Sequence, residues 1–505
     1  MKRTYTSNYS GTSGGLSLPG FYNLDASVDR PSVSTFRSEK AVNSMFGQLS
    51  LGFGQLYYAD VSLRNDVSSA LPDANNSYTY YSLSNSLVFS ELVKIPFLSF
   101  GKFRASVAQV GSDTDPYNVN LTYGVGTPYG SSASLAVPNT LPNPDLKPSV
   151  SSDTEFGVEL AMLDNRLRFD ITAYTSVKED EIIDLSVSGA SGYTTSLVNA
   201  GKFTTTGTEL QISGTPLLGK DYSVDVSMNY ATSYSEVNEL AEGLEARSLF
   251  RAYWGTYLYA NVGEEWGIIQ GTGYQKHENG ERIINPATGN YVHENNMEFG
   301  SVLPDATGGF RVDAKYKNFD VGAVFDFQQG GQFYSLTRQW GLYSGMTSNT
   351  VGDNELGNPL RDPVINSAGE VVGFVESSQA ASNSGGVLIE GVLEDGTAAS
   401  YYLDAVSWAA NSYYKRSEEN LVDGSYTRFR ELRFGYNVPS KYLKGMFVSA
   451  ANIAVTVRNV AMLSSAEEGI DPTTASNGHG SGFSYWEGGV LPSTRAVSLN
   501  LNLKF

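Results

Sequence analysis

A chain of 505 residues is too long for one ordinary globular core, which usually stops growing near ~250–300 residues, so it forms several domains or one very large closed β-structure. Its 53 Asp and Glu outnumber 34 Lys and Arg, and this net charge of −19 argues against nucleic-acid binding, which needs a positive surface. Cysteine is absent, which excludes disulfides and thiolate metal sites.

Strict alternation of apolar and polar residues recurs along the chain, whereas helical 3.6-residue periodicity is hard to find. In YSVDVSMNY (222–230), every second residue is apolar and the residues between them are Ser, Asp or Asn. Such alternation predicts β-strands with one apolar and one polar face. The strands predicted in chain order lie at about 1–9, 44–53, 56–65, 80–91, 100–110, 154–162, 166–176, 208–214, 222–233, 310–316, 319–327, 426–436, 448–458 and 496–505.

Short and long connections alternate between these strands. Short turns such as GFGQ, LDN and LLGKD close the hairpins, and the long links lie at roughly 66–79, 111–153, 177–207, 234–309, 328–425 and 459–495. Turn signals inside the longest links predict small sheets within the loops. A half-buried sheet in a water-soluble protein explains any single strand, but it does not explain the alternation of connections.

A transmembrane β-barrel does explain it, because its periplasmic turns are short and its extracellular loops are long. Strands of about 9–11 residues also suit a tilted crossing of the bilayer. We therefore predict an all-β fold, an antiparallel transmembrane barrel of which about 14 strands are present. Its apolar face contacts outer-membrane lipid, and its polar face lines a wet lumen.

The chain ends in RAVSLNLNLKF, where Leu501, Leu503 and Phe505 continue the apolar face of the last strand. A terminal strand with alternating apolar residues and a final aromatic residue is what the outer-membrane insertion machinery recognises in its substrates. These three residues are therefore predicted to form an assembly signal. The alternative is an ordinary edge strand that ends in Phe.

An ordered series of segments resembles the SusC/RagA family of TonB-dependent transporters from Bacteroidetes. The segments are LRNDVSSALP (63–72), FGKFRASVAQVGSDTDPYN (100–118), NPDLKPSVSSDTEFGVEL (143–160), NAGKFTTTGTELQI (199–212), LVDGSYTRFRELRFGYNVP (421–439), RNVAMLS, GIDPTT and LPSTRAVSLNLNLKF. The third departs from the family pattern at Ser149, where Glu is usual. Arg and Asp at the strand rims of these segments are expected to hold loops by charge-assisted hydrogen bonds.

Members of this family carry a signal peptide, an N-terminal extension, a plug domain and a segment that contacts TonB, followed by a barrel of 22 strands. The N-terminal MKRTYTSNYSGTSGG lacks the apolar core of a signal peptide, and only about 14 strands are predicted. Residues 1–505 are therefore expected to be the C-terminal part of such a barrel. Residues 496–505 are then expected to form no ladder with a strand in the first 60 residues.

The resemblance implies an outer-membrane transporter that imports a large nutrient, either a glycan or a peptide. It implies energy from the proton-motive force through TonB–ExbB–ExbD, which would act through the missing N-terminal barrel and plug portion. It also implies a SusD-like surface lipoprotein as a lid. The alternative is a self-contained outer-membrane barrel of 12–14 strands that acts as an adhesin or an enzyme.

No residue pattern in the chain points to catalysis, a cofactor or a metal. His277, His293 and His479 lie in predicted loops without the H-E-x-x-H spacing of a zinc site. GHGSGFS (478–484) is not a G-x-S-x-G nucleophile elbow, and GVGTPYG (124–130) lacks the spacing of a dinucleotide-binding loop. We expect no enzyme activity.

Two kinds of loop segment remain open to two interpretations each. The acid-rich SDTDP (112–116) and VGDNELGNPLRD (351–362) could bind calcium through oxygen ligands or be solvated loops. The aromatic stretches YTYYS (78–82), RAYWGTYLY (251–259) and FSYWEGG (483–489) could stack against sugars or peptides, or belong to aromatic girdles at the membrane boundary.

Overall fold

One continuous sheet of fourteen antiparallel strands dominates the computed structural model, which describes residues 1–130, 132–251, 256–415, 417–467, 469–475, 485–491 and 493–505. In chain order the strands are β1 (Lys2–Leu16), β2 (Ser27–Phe53), β3 (Tyr57–Ser68), β4 (Ser77–Leu87), β5 (Leu98–Ser112), β6 (Ser149–Met162), β7 (Leu167–Glu179), β8 (Lys202–Leu218), β9 (Tyr222–Glu239), β10 (Ala306–Tyr316), β11 (Phe319–Gln329), β12 (Tyr426–Asn437), β13 (Ala450–Ser465) and β14 (Ala496–Lys504). Neighbours in sequence are neighbours in the sheet, which is the up-and-down order of a barrel.

The fourteen strands lie where the alternation predicts them, and two of the strands that extend well beyond the predicted segments are β1 and β2. These strands have 15 and 27 residues, far more than the sequence pattern indicates. Residues 2–16 and 27–41 are mostly polar on both faces, so they carry no clear alternation of hydropathy. Their strand structure comes from pairing with each other, which only the tertiary register specifies.

The register of the sheet separates an apolar face from a polar face. Six adjacent strands contribute one aliphatic residue each to a single row: Val226, Val312, Ala323, Leu432, Val457 and Val497. In the next row the rings of Phe310, Phe325 and Phe429 stack with centroids 4.4 and 4.5 Å apart. A third row beside the short turns is mainly aromatic: Tyr222, Tyr316, Phe319 and Tyr436. An aliphatic band with aromatic rows near its limits is the lipid-facing pattern of a membrane barrel.

The long links contain small sheets, as the turn signals predict. Their strands are Gly124–Tyr129 with Ser132–Ala136; Thr140–Leu141, Ile182–Ser186 and Thr195–Asn199; Ala246–Arg251, Tyr257–Asn261, Ile268–Tyr274 and His293–Ser301; Gln332–Ser335, Leu421–Asp423 and Trp486–Glu487; Val364–Ile365 with Val371–Val372; and Phe374–Glu376, Val387–Val392 and Ala398–Leu403.

Two short helices, α1 (Leu336–Tyr343) and α2 (Ala405–Lys415), lie in the link between β11 and β12 and were not predicted. Helical periodicity is hard to recognise over 8 and 11 residues. The Ser335 side chain caps α1 by accepting the N–H of Arg338 at 3.0 Å. In the part of the chain that is described, no helix is long and apolar enough to span a membrane.

Three of the long links fold together in their described parts into one body, which we call the loop cap (the described residues of 240–305, 330–425 and 466–495). One apolar cluster joins Leu258, Ile269 and Val302 of the first link to Tyr485 of the third. A second cluster joins Ile284 of the first link to three residues of the second link, Ile389, Tyr401 and Leu403. These links therefore have a hydrophobic core of their own and are not independent loops.

The sheet is open. Within the described ranges, β1 and β14 are its two ends and no ladder connects them. β1 pairs only with residues 27–41 of β2, while residues 42–53 of β2 pair with β3 on their other side. Among the residues described, the β1-side edge of 43–53 has no strand partner.

Gly207 provides a test of the sheet packing. A side chain there would collide with the Thr232 carbonyl oxygen and the Tyr174 ring. We expect Gly207→Val to reduce the folded fraction of the protein, measured as the heat-modifiable band on a gel run without boiling. Gly47→Val in β2 is the matched control, because no atom lies within 4 Å of the place that a Cβ would occupy at Gly47. Equal folded fractions for the two variants would contradict this packing.

Candidate functional site: the polar wall and the loop cap

Arginine–aspartate pairs cross the polar face of the sheet near β11 and β12. A β-bulge between Phe429 and Glu431 inserts Arg430 as an extra residue. Its guanidinium donates to both Asp326 carboxylate oxygens at 2.7 Å, and the Tyr426 hydroxyl donates to the same carboxylate at 3.0 Å. Bidentate pairs of this kind fix side-chain geometry more strictly than single contacts.

A glycine allows a similar pair to span three strands. Arg104 on β5 donates to the Asp170 carboxylate on β7, at 2.9 Å for one of its nitrogens, and to the Thr172 hydroxyl at 2.5 Å. Gly157 on β6 lies between Arg104 and Thr172 in the register, and a Cβ there would collide with the guanidinium. The glycine in the segment E-F-G is therefore required by a side chain that passes over it.

At the rim of β2 to β5, charged residues connect strand ends to loops. Arg64 donates to Asp66 at 2.8 Å, and the Tyr80 hydroxyl donates to the same carboxylate at 2.8 Å. Asp113, just beyond β5, accepts hydrogen bonds from both Lys40 and Ser68. The R-N-D-V-S-S and S-D-T-D segments of the sequence thus meet in one network.

Asn199 connects two other loops that lie far apart in the sequence. Its amide accepts the Lys147 N–H at 2.7 Å and donates to the Lys147 and Asp180 carbonyl oxygens at 2.8 and 3.0 Å. Leu146, next to this contact, is fully buried. The segments N-P-D-L-K-P and N-A-G therefore form one loop base.

Arg428 and Asp471 connect β12 to the link that precedes β14. Arg428 is only 4% exposed and donates to the Asp471 carboxylate, which also accepts from Ser493 at 2.8 Å. Burial opposes ionisation of Asp471, but the hydrogen bonds from Arg428, Ser493 and Thr473 outweigh it and lower the pKa of Asp471 to about 2. This brace borders a cavity of about 850 Å³ that Arg495 and Glu487 also line.

Polar contacts hold the links of the loop cap together in addition to its apolar clusters. Glu418 accepts the Tyr274 N–H at 3.0 Å, which joins the link after β11 to the link after β9. Tyr334 donates its N–H to the Tyr485 carbonyl at 2.8 Å, and Ser335 donates to Glu487 at 2.7 Å. The described parts of the three links therefore form one connected body on the side of the sheet that carries the long links.

The segments considered for chemistry have other structural roles. His277 and His293 lie in the loop cap, while His479 and residues 478–484 are outside the described part of the chain. Residues 124–129 form a strand that leads into no helix. Within the ranges described, no three His, Asp or Glu side chains are grouped for a metal ion. In the second acid-rich loop, the Asn354 amide organises the turn by accepting the N–H groups of two following residues at 3.1 Å.

Several described members of the aromatic stretches lie on the polar face of the sheet or inside the loop cap. Tyr78 and Tyr80 stack at 6.2 Å, and Tyr80 contacts the Arg64–Asp66 pair of the polar face. Tyr485 is buried in the loop cap. Residues 252–255 and 483–484 of the other two stretches are outside the described residues. These described tyrosines do not form a girdle row. Tyr81 of the first stretch lies opposite Leu63 on the other face of the sheet and is 50% exposed, as a girdle residue would be.

The predicted assembly residues lie at the free side of the sheet. Leu501 and Leu503 are opposite Ile453 and Ala451 of β13, and both are exposed on the apolar face. The ring of Phe505 stacks on Phe447, which lies in the turn between β12 and β13, with centroids 5.6 Å apart and an interplanar angle of 3°. Their role in assembly remains a prediction.

The sequence patterns did not predict the partners of Asp326, Asp113, Asp471 or Lys40. The alternation identifies which strand residues are polar, but the partner of each depends on the strand register, on the bulge at Arg430 and on where the loops return. A usable signal existed at Gly157, because a glycine inside a strand often marks the close approach of a neighbouring group.

The first prediction from this geometry concerns the brace between Arg428 and Asp471. Asp471→Asn leaves a buried guanidinium without its charged partner, which costs about 3 kcal/mol in comparable pairs. We expect faster amide hydrogen exchange in residues 469–475 of the variant. Asp73→Asn, which changes an exposed loop carboxylate, is the control and should leave exchange unchanged. Similar exchange in both variants would show that the brace does not hold this link.

The pH dependence of the same brace follows from its lowered pKa. The pKa of Asp471 falls from the usual 3.8 to about 2, so its stabilising contribution is complete above the unfolded-state pKa and is lost as the pH falls through about 2. Hydrogen exchange in residues 469–475, corrected for intrinsic rates, should be equal at pH 7 and pH 5. Loss of protection already at pH 5 would contradict this prediction.

Substitutions of Phe505 and Phe447 test the predicted C-terminal assembly signal. We expect Phe505→Ala to lower the outer-membrane level of the protein, because the terminal aromatic ring is removed, whereas Phe505→Trp keeps an aromatic ring and should not. Phe447→Ala removes the stacking partner but not the signal. If Phe447→Ala lowers the level as much as Phe505→Ala, stability of the stack and not recognition explains the effect.

Known proteins resemble this chain in sequence. The family of TonB dependent receptor-like β-barrels matches residues 2–326. TonB-dependent receptors P3 and P26 of Formosa agariphila are 22% and 23% identical to this chain, over alignments that cover 96% of this chain and 48% of each relative. The chain therefore spans about half the length of the curated relatives that it matches.

Solved structures share the fold. The RagAB peptide transporter superposes with a TM-score of 0.72 at 20% identity, covering 100% of this chain and 52% of that chain. The RagAB peptide importer in its open-open state superposes with a TM-score of 0.69 at 19% identity. These matches confirm the resemblance to SusC/RagA transporters and the barrel fold. Because the family match covers more than half of its residues, this chain belongs to the TonB-dependent receptor-like β-barrel family of the outer membrane.

Proposed function

We propose that residues 1–505 are the C-terminal part of the barrel of an outer-membrane importer of a large nutrient, a glycan or a peptide. The observation that carries this proposal is the open fourteen-stranded sheet with an apolar face, a braced polar face and a large loop cap. The barrel supplies the wall, the loop cap supplies the ligand chamber, and a plug in the remaining part of the receptor gates the path.

The unpaired edges support the part of the proposal that concerns missing strands. In a bilayer, each backbone group left without a hydrogen bond costs several kcal/mol, so spanning sheets close. Lys2 is opposite Ala41, and this register would place the chain that precedes Met1 beside residues 43–53 of β2. About eight further strands would then close the barrel between β14 and β1.

Energy coupling and partners follow from the family. The N-terminal portion would contact TonB, which draws on the proton-motive force through ExbB and ExbD. A SusD-like surface lipoprotein would cover the loop cap. The similarity to RagAB, described as a peptide transporter, supports a peptide as cargo. The neutral amide side chains of Asn285, Asn290 and Asn295 line a loop-cap cavity of about 420 Å³, which would also suit a glycan.

The alternative is a self-contained barrel that acts as an adhesin or an enzyme. A self-contained barrel of this size would pair β14 with β1, and the register gives those strands no such ladder within the described residues. The importer is therefore the better supported proposal.

Extraction of the whole receptor from its native membrane tests the proposal. In a mild detergent we expect a SusD-like lipoprotein to remain bound, and mass spectrometry of the complex should identify a retained glycan or peptide. That ligand should still bind to cells that lack TonB, but it should no longer enter them. A receptor that purifies alone, while other outer-membrane complexes survive the same extraction, would count against the lipoprotein. Uptake of that ligand by cells that lack TonB would overturn the proposal of a TonB-dependent importer.

A further inference from the structure

A groove crosses the lipid-facing side of the sheet between β3 and β7, away from both open ends. Each of these five strands is paired on both sides. The groove has a volume of about 440 Å³, and its lining includes Phe103, Ala105, Phe156 and Ala173. The register places Phe156 of β6 between the two alanines, so its ring, which is 64% exposed, has space on both sides.

An amide side chain belongs to the lipid-facing lining of this groove. Asn85 of β4 is opposite Ala59 and Ala105, and the residues two positions away from it on either side are leucines. The Tyr57 hydroxyl donates to the side-chain oxygen of Asn85 at 2.5 Å. Within the described ranges, the side-chain N–H groups of Asn85 have no acceptor in the protein.

The other amide side chains on the same face of β3 to β5 find acceptors inside the protein. Asn65 donates to two hydroxyls of β4 at 3.1 and 2.9 Å. Gln109 donates to the Ser152 hydroxyl of β6 at 3.3 Å. Asn85 differs because its neighbours across the strands are alanines, which offer no side-chain acceptor. Its N–H groups therefore face the surroundings of the barrel.

Asn85 lies close to the periplasmic limit of the lipid-facing band. Its partner Ala59 is two residues beyond Tyr57, where β3 begins after a short turn. At about 3.4 Å per residue and a strand tilt of about 40°, this is about 5 Å inside the level of the short turns. The surroundings at this level are the glycerol esters of the periplasmic leaflet, which consists of phospholipids, whereas lipopolysaccharide occupies the outer leaflet.

A phospholipid supplies both the acceptor and the apolar group that this groove can take. An N–H group beside hydrocarbon costs free energy unless it is hydrogen-bonded, and an ester carbonyl is an acceptor at this depth. The acyl chain attached to that ester can lie beside the Phe156 ring and over the alanines, in van der Waals contact with them. On β10 to β12, by contrast, the rings of Phe310, Phe325 and Phe429 stack on one another and cover the surface themselves.

From these observations we infer that the groove is a binding site for one phospholipid of the periplasmic leaflet. The Asn85 amide donates to a glycerol ester carbonyl of the lipid, and one acyl chain lies in the groove over Ala105 beside Phe156. The Tyr57 hydroxyl holds the Asn85 amide in position through its hydrogen bond. The inference needs only the barrel fold and the outer membrane, so it stands or fails independently of the cargo and of any lipoprotein.

Native mass spectrometry of the protein, purified from outer membranes in a mild detergent and then delipidated, tests the amide contact. Dioleoyl phosphatidylethanolamine is the added probe, and we expect one copy to bind saturably. Asn85→Leu should raise the apparent Kd about fivefold, as expected for the loss of one hydrogen bond. Asn65→Leu is the matched control and should bind like the unchanged protein, because the Asn65 N–H groups already have acceptors. Equal Kd values for Asn85→Leu and Asn65→Leu would overturn the inference.

Filling the groove gives a second readout. Ala105→Phe should abolish saturable binding of the probe, whereas Ala323→Phe, which adds the same ring to the aliphatic row on β11, should not. Asn85→Leu makes a lipid-facing position more apolar and does not endanger folding, so it decides the matter even if Ala105→Phe does not fold. Binding of the probe without saturation, or a bound lipopolysaccharide that the probe does not displace, would also overturn the inference.

Discussion

Backbone hydrogen bonding in a medium without water is the constraint on which the rest of this structure depends. Each strand that crosses lipid must pair on both sides, so the chain forms one uninterrupted antiparallel ladder rather than several small sheets. The ladder fixes which residues stand beside each other. It therefore determines both the aliphatic band across β9 to β14 and the charged rows on the opposite face.

The polar face uses this order to build a rigid wall. Gly157 leaves room for Arg104 to reach Asp170 two strands away, and the bulge at Arg430 turns an extra guanidinium toward Asp326. Pairs of this kind join neighbouring strands through their side chains as well as through their backbones. Both kinds of contact resist distortion of the sheet.

Loops of this size need their own supports, and the structure provides them at two levels. Short braces such as Asn199 with Lys147 and Arg428 with Asp471 hold loop ends at the rim of the sheet. Above the rim, the apolar clusters of the loop cap join links that are separated by whole hairpins. The hairpin of β1 and residues 27–41 of β2 differs from these links, since it is a two-stranded ribbon that Lys40 and Ala41 tie to neighbouring segments at its base.

Local alternation of residues such as 222–230 determined the strands, their number and their lipid-facing side, because a period of two is imposed by the backbone itself. The order of short and long links determined the barrel and its orientation, and the segment series determined the family. The sequence could not specify that Asp113 meets Lys40, that Asn199 closes on Lys147, or that residues 27–41 form a strand. The first two contacts join residues 73 and 52 positions apart, and residues 27–41 have no alternating hydropathy. Only the register of the folded sheet therefore decides them.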